Sequence, residues 1–153
     1  MATIRTASTE DASAIAQLIT RLNEAVGLEG GMSASPDTVL VTPEQARTRI
    51  AAMAGTEQVL LAEANGEAVG LLSLRILPYL AEDVPFAEVA ELYVEPPHRR
   101  GRIGMLLIAE AEHIARQRGC GVMHVRAWHT NEQAHAFYRA VGYESVEFCF
   151  ERV

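Results

Sequence analysis

The stretch VEPPHRRGRIGMLL, Val94 to Leu107, decides how this chain is read. An apolar run ends at Val94, two prolines interrupt it, and three arginines and two glycines lead into a helical pattern. The first N–H groups of a helix lack internal partners and carry partial positive charge, so a helix start is an anion site. Gly101 and Gly104 permit close backbone approach, and Arg99, Arg100 and Arg102 gather charge around the same spot. A diphosphate is the natural guest. Neither GxxxxGK[ST] nor GxGxxG is present, which excludes the triphosphatase loop and the dinucleotide-binding Rossmann unit. On these residues alone, a solvated basic helix start is an equal alternative.

The rest of the chain limits the function classes. Its 153 residues fit one domain, 1–153, with a real core. A hydrophobic fraction of 49% with 22% charged residues is that of an ordinary globular protein. No apolar run approaches the ~20 residues that span a bilayer. The opening MATIRTASTEDASAIAQL lacks the basic-then-apolar order of a signal peptide, so no membrane role is expected. Cys120 and Cys149 form no CxxC and no His/Cys spacing typical of zinc, so no metal is expected and a reducing cytoplasm is the simplest location. A net charge of −7, and arginines without interleaved aromatics, argue against nucleic-acid binding.

Strand and helix signals alternate. Ala2 to Ser8 alternates like a strand, and Thr9 is expected to cap a helix with Ile15, Leu18, Ile19 and Leu22 inward. Val26 to Leu40 reads as a loose segment. Thr42-Pro43-Glu44-Gln45 is a capping box opening a helix to about Ala54. Asn65-Gly66 between apolar runs is a hairpin signal. Phe86 to Val94 reads as a strand. Arg102 to Arg118 reads as an amphipathic helix with Ile103, Leu106, Leu107, Ala111 and Ile114 inward. Val122 to His129 reads as a strand, Asn131 caps a last helix, and Ser145 to Val153 closes the chain as a strand. The class is mixed α/β.

Arg99-Arg100-Gly101-Arg102-Ile103-Gly104 resembles the cofactor signature [QR]-x-x-G-x-[GA] of the GNAT superfamily of acyl-CoA N-acyltransferases. Arg102 stands where glycine is usual, and is expected to keep a right-handed backbone. NEQAHAFYRAVGYE is similar to that family's Asn-to-Tyr helix, with Asn131 seven residues before Tyr138. The order of elements fits from residue 2 to 153. The resemblance implies a single GNAT-like domain with a central, mostly antiparallel twisted sheet flanked by helices. It also implies acetyl transfer from acetyl-CoA, as co-substrate, to a small-molecule primary amine in a ternary complex. Members are often dimers, so a homodimer fits. A non-catalytic acyl-CoA sensor is the alternative.

Acyl transfer needs a held thioester, a deprotonated amine and a protonated leaving thiolate. By resemblance, backbone amides from Arg100 through Gly101, Arg102, Ile103 and Gly104 to Met105 would hold the diphosphate, with Arg99 beside them. Leu92, Tyr93 and Val94 would pair with the pantetheine arm through their main chain, and Asn131 would contact it from the other side. Tyr138 is the expected general acid, against the plainer reading of a core aromatic. Glu91, with Glu88 second, is the expected general base. Strand alternation puts these two on opposite faces, unless a bulge intervenes. Val26 to Leu40, with Glu29 and Asp37, and the loop of Glu82 and Asp83 would wall the acceptor pocket.

Overall fold

The computed structural model describes residues 1–29 and 40–146. Strand β1 (Thr3–Thr6) ends just before the first cap, which is Ser8 and not Thr9. The Ser8 hydroxyl accepts from Glu10 N, and Asp11 Oδ2 accepts from Ser8 N at 2.8 Å. Only Ser8 has an acid three residues on. The residue three past Thr9 is Ala12, which cannot close the box. A 3₁₀ turn, Thr9–Asp11, leads into α1 (Ala12–Glu29), which runs through residues 26–29 of the segment expected to be loose. Helix α2 (Pro43–Ala52) starts as expected, with Thr42 and Gln45 exchanging bonds of 2.9 and 3.2 Å.

Strands β2 (Glu57–Ala64) and β3 (Glu67–Leu77) are joined by Asn65 and Gly66, whose φ values of 53° and 80° make the mirror-image turn that suits strand twist. Then follow β4 (Phe86–Val94), α3 (Ile103–Gln117), β5 (Met123–Val125) and α4 (Glu132–Ala140). Strand β5 is shorter than the expected Val122 to His129. Ser145 and Val146 are not in a strand, and residues 147–153 of the expected closing strand lie outside the described residues. The sheet order is β1-β2-β3-β4-β5, antiparallel except for the parallel pair β4–β5.

Helices cover both faces. On one, Ile15, Leu18 and Ala46 of α1 and α2 meet Val59, Leu61, Leu71 and Tyr93. On the other, Ile103, Leu107, Ile108, Ala111 and Ala115 of α3 and Tyr138 of α4 meet Leu60, Leu72, Leu74 and Val89. Each fully buried leucine contributes about 1.5–3 kcal/mol. Leu106, expected inward, is exposed, because the stripe continues through Leu107, Ile108 and Ala111.

Two irregularities shape the site. Ser73 pairs with Glu91 but Leu74 pairs with Val89, so Ala90 is an extra residue in β4. This bulge brings Glu88 and Glu91 onto the same face, the one covered by α1 and α2, where regular alternation would have separated them. In addition, β5 pairs with β4 only at Ala87, Glu88 and Val89. Beyond that point the strands part, and the edge of β4 from Glu91 to Val94 has no strand partner on that side among the described residues.

Candidate active site

The arginine-rich loop begins at a 3₁₀ turn, Pro96–His98, and is held in a strained form. Arg100 and Arg102 both adopt left-handed backbone, at φ 69° and 64°. The expectation of a right-handed Arg102 is therefore wrong: the loop shape that glycine usually serves is kept, and arginine adopts it at about 1–2 kcal/mol. Left-handed Arg102 followed by right-handed Ile103 turns successive N–H groups toward one concave side, an anion-binding arrangement. The Arg102 side chain makes no cap bond to the helix. The amides of Arg102, Ile103, Gly104 and Met105 thus lack partners among the described residues, whereas Gly101 N already donates to His98 O at 3.3 Å. Arg100 and Arg102 are exposed. Arg99 is drawn back to β4, its Nε donating to Val94 O at 2.8 Å and its guanidinium lying 5.6 Å from the Tyr93 ring centre.

Just before this loop lies the buried carboxylate of Glu95, which accepts from Arg21 of α1 and from the Tyr93 hydroxyl at 3.3 Å. Its amide donates to Val69 O at 2.9 Å. The strand end is therefore anchored on both sides.

Across the cleft, Asn131 caps α4, its Oδ1 accepting from Ala134 N at 2.9 Å. Tyr138 is buried between Phe137 and Tyr143, edge-on to both, at ring-centre distances of 5.4 and 6.1 Å. Its hydroxyl makes no hydrogen bond among the described residues, yet no buried side-chain polar atom there is left unsatisfied, so the oxygen opens to solvent. Burial, and then the nearby Glu91 charge, push its pKa up to about 12. The phenol keeps its proton at neutral pH. Tyr143 differs: its hydroxyl donates to Glu112 Oε1 at 2.9 Å, and burial with that bond raises its pKa.

Glu88 and Glu91 belong to a charged cluster that sequence reading missed. Glu57 of β2 accepts from Ser73 Oγ and, at 2.8 Å, from Arg75 Nε. Arg75 Nη1 reaches Glu88 Oε1 at 3.1 Å. Glu91, cross-strand from Ser73, forms no hydrogen bond or ion pair among the described residues. Glu91 is exposed to solvent, although protein crowds the other sides of its carboxylate. Desolvation raises its pKa, the charge of Glu57 adds to the rise, and Arg75 and Arg126 oppose it. The turn alone could not have placed Glu57: pairing outward from Asn65-Gly66 would set it against Leu74, and a register shift between Ala62 and Glu63 sets it against Arg75 instead, on the face of Ser73 and Arg75. Of the expected pocket walls, Glu82 and Asp83 are exposed. The Glu29 side chain and Asp37 lie outside the described residues.

Comparison with known proteins fits this geometry. The acetyltransferase (GNAT) family matches residues 32–143. The chain belongs to that family. It is 38% identical over 92 residues to an aminoalkylphosphonate N-acetyltransferase of Salmonella typhimurium, covering 60% of each chain. It is 40% identical over 92 residues to an aminoglycoside N(6')-acetyltransferase type 1 of Klebsiella aerogenes, covering 58% of this chain and 60% of that one. The match thus spans about 60% of the length of these curated relatives. A ribosomal-protein-alanine N-acetyltransferase of Brucella melitensis has the same fold, with a TM-score of 0.80 at 17% identity over 99% of this chain and 98% of that one. So does an aminoglycoside acetyltransferase from an uncultured soil sample, solved with sisomicin, with a TM-score of 0.75 at 22% identity over 99% and 96%.

Proposed function

We propose that this protein is an N-acetyltransferase that moves an acetyl group from acetyl-CoA to the primary amine of a small molecule, with both bound at once. The observation that carries this reading is a convergence on the cleft where β5 leaves β4. Around it lie a protonated phenol and, among the described residues, a helix start without a side-chain cap, a strand edge without a strand partner and a carboxylate without a hydrogen bond.

Each part supports one task. The free amides from Arg102 to Met105, with the charges of Arg100 and Arg102, suit a diphosphate. The open edge of Leu92, Tyr93 and Val94 suits main-chain pairing with the pantetheine arm. A strand-end amide there would polarise the thioester carbonyl. Asn131 caps α4 with its oxygen and still has its NH₂ to offer the arm. Glu91 takes a proton from the amine nitrogen as that nitrogen bonds to the carbonyl carbon. The C–S bond breaks, and Tyr138 gives its proton to the sulfur. The products are an amide and a free thiol, and the proton on Glu91 returns to the Tyr138 oxygen through solvent, so both groups are restored.

The experiment is thiol release from acetyl-CoA against an amine panel holding aminoglycosides, aminoalkylphosphonates, polyamines and amino acids. Turnover of at least one class is expected. Tight acetyl-CoA binding with no turnover across the panel would replace this reading with that of a non-catalytic acyl-CoA sensor.

A further inference from the structure

We propose that Glu57 is a positioning residue: by accepting from both Ser73 Oγ and Arg75 Nε, it withholds from Glu91 two donors of the neighbouring strand and leaves that carboxylate free to receive a proton. This rests on the reading of Glu91 as the base. Glu57 sits on β2, two strands from β4, and touches no reactant.

Register makes the argument. Ser73 stands directly cross-strand from Glu91, and Arg75 directly cross-strand from Glu88, all on one face. A serine hydroxyl and a guanidinium so placed would ordinarily bond the carboxylate beside them. Both instead turn to β2, where Glu57 is paired in register with Arg75. Glu88 takes Nη1 of the same guanidinium, so its fork is held between the outer two carboxylates. The remaining groups about Glu91 are Arg126 just past β5, Tyr138 on α4, and His124 of β5 across from Glu88. From α1 and α2 this face receives apolar side chains, Ile15, Leu18 and Ala46 among them, and the guanidinium of Arg21, which Glu95 takes. Without the Glu57 acceptors, Ser73 and Arg75 would be released toward Glu91. They would stabilise its charged form and weaken it as a base.

Two readouts test this in the intact protein: a ¹³C-carboxylate NMR titration, with Glu91 assigned by its loss in Glu91→Gln, and the pH profile of kcat/KM. In Glu57→Ala, which removes acceptor and charge, the Glu91 titration should fall by about half a pH unit or more, and the acid limb of the profile should move down with it. Glu57→Gln, which loses the charge but keeps an oxygen acceptor for Ser73 and Arg75, should move both less. Equal shifts in folded Glu57→Ala and Glu57→Gln, as charge repulsion alone would give, or an unmoved Glu91 titration in Glu57→Ala, overturn the proposal. A shifted titration with an unmoved acid limb keeps the hold of Glu57 on the donors but removes Glu91 as the base.

Discussion

The Phe137 ring lies so close to Gly104 that a Cβ there would stand 3.1 Å from Cζ and 3.3 Å from Cε2. Gly104 therefore serves helix packing as well as the anion loop, because it lets α4 approach the first turn of α3. Phe137 in turn packs on Tyr138. Gly104→Ala should push this half-buried ring by a few tenths of an ångström, and lower stability by about 1 kcal/mol once the helix-favouring gain of alanine is set against the crowding. Turnover should fall with it through displacement of Tyr138. Phe137→Leu in the same chain should recover much of the loss. Thermal melts and turnover of the single and double variants check this, and an additive double variant would count against the coupling.

Arg102 offers a second test. At φ 64° a residue with a Cβ is strained and glycine is not. Arg102→Gly and Arg102→Ala remove the same charge, but only the first relieves the backbone. The glycine variant should be more stable than the alanine variant by about 1 kcal/mol, despite its looser unfolded chain. Both should weaken acetyl-CoA similarly. Denaturant midpoints and calorimetry separate the two effects, and equal stabilities would refute the strain.

Asp11 gives a stability prediction with a definite pH window. The bidentate contact with Arg5, at 2.7 and 3.0 Å, holds the Asp11 pKa down at about 2, below the usual carboxylate range. A depressed carboxylate stabilises fully above its unfolded pKa, and that stabilisation is lost as pH falls through the folded value. Asp11→Asn, which also weakens the box with Ser8, should cost about 1–2 kcal/mol at pH 7. The gap from the parent should close between about pH 4 and pH 2. A constant gap across that range would show that the charge contributes nothing.

These tests fall partly on features legible in the sequence and partly on ones that were not. The Thr42 box, the Asn65-Gly66 turn and the Asn131 cap could be read because their bonds are local and their residue types specific. The left-handed Arg102 could not, because local sterics favour the other conformation and the loop as a whole overrules them. The common face of Glu88 and Glu91 depended on a bulge at Ala90, a residue that carries no turn or bulge signal. The Glu57–Arg75 pairing joins residues eighteen positions apart and appears only once strand register is known.

Glu91 and Glu88 differ in partners, and their variants should differ in kind. Glu88 is held by Arg75, so Glu88→Gln should loosen the cluster while leaving a base in place. Glu91→Gln should lower turnover most between the raised Glu91 pKa and the pKa of the amine. Below that window the parent carboxylate is itself protonated, and above it the amine arrives uncharged and depends less on a base. Acetyl-CoA affinity should be unchanged in both. The pH dependence of kcat/KM for the two variants decides the assignment, and full activity in both would give the proton transfer to water.

Tyr138 is the most direct test of the chemistry. Its ring fills the space between Phe137 and Tyr143, and its oxygen contributes no hydrogen bond to the fold among the described residues. Tyr138→Phe should therefore stay folded, with a melting temperature close to that of the parent. Burial and the Glu91 charge hold the phenol protonated up to about pH 12, so the proton is present throughout the working range and no basic limb of activity near neutrality belongs to it. Losing it should appear in turnover rather than in acetyl-CoA binding. General acids contribute about 10²–10⁴-fold, and water entering beside an open hydroxyl can substitute in part, so a loss of about 10²-fold is expected. The size of that loss should depend on the leaving group. An acyl donor with a more acidic thiol needs less help from a proton and should be less sensitive to the variant. If Tyr138→Phe binds acetyl-CoA normally and turns over its best amine within about twofold of the parent, the acid lies elsewhere and Tyr138 is a packing residue.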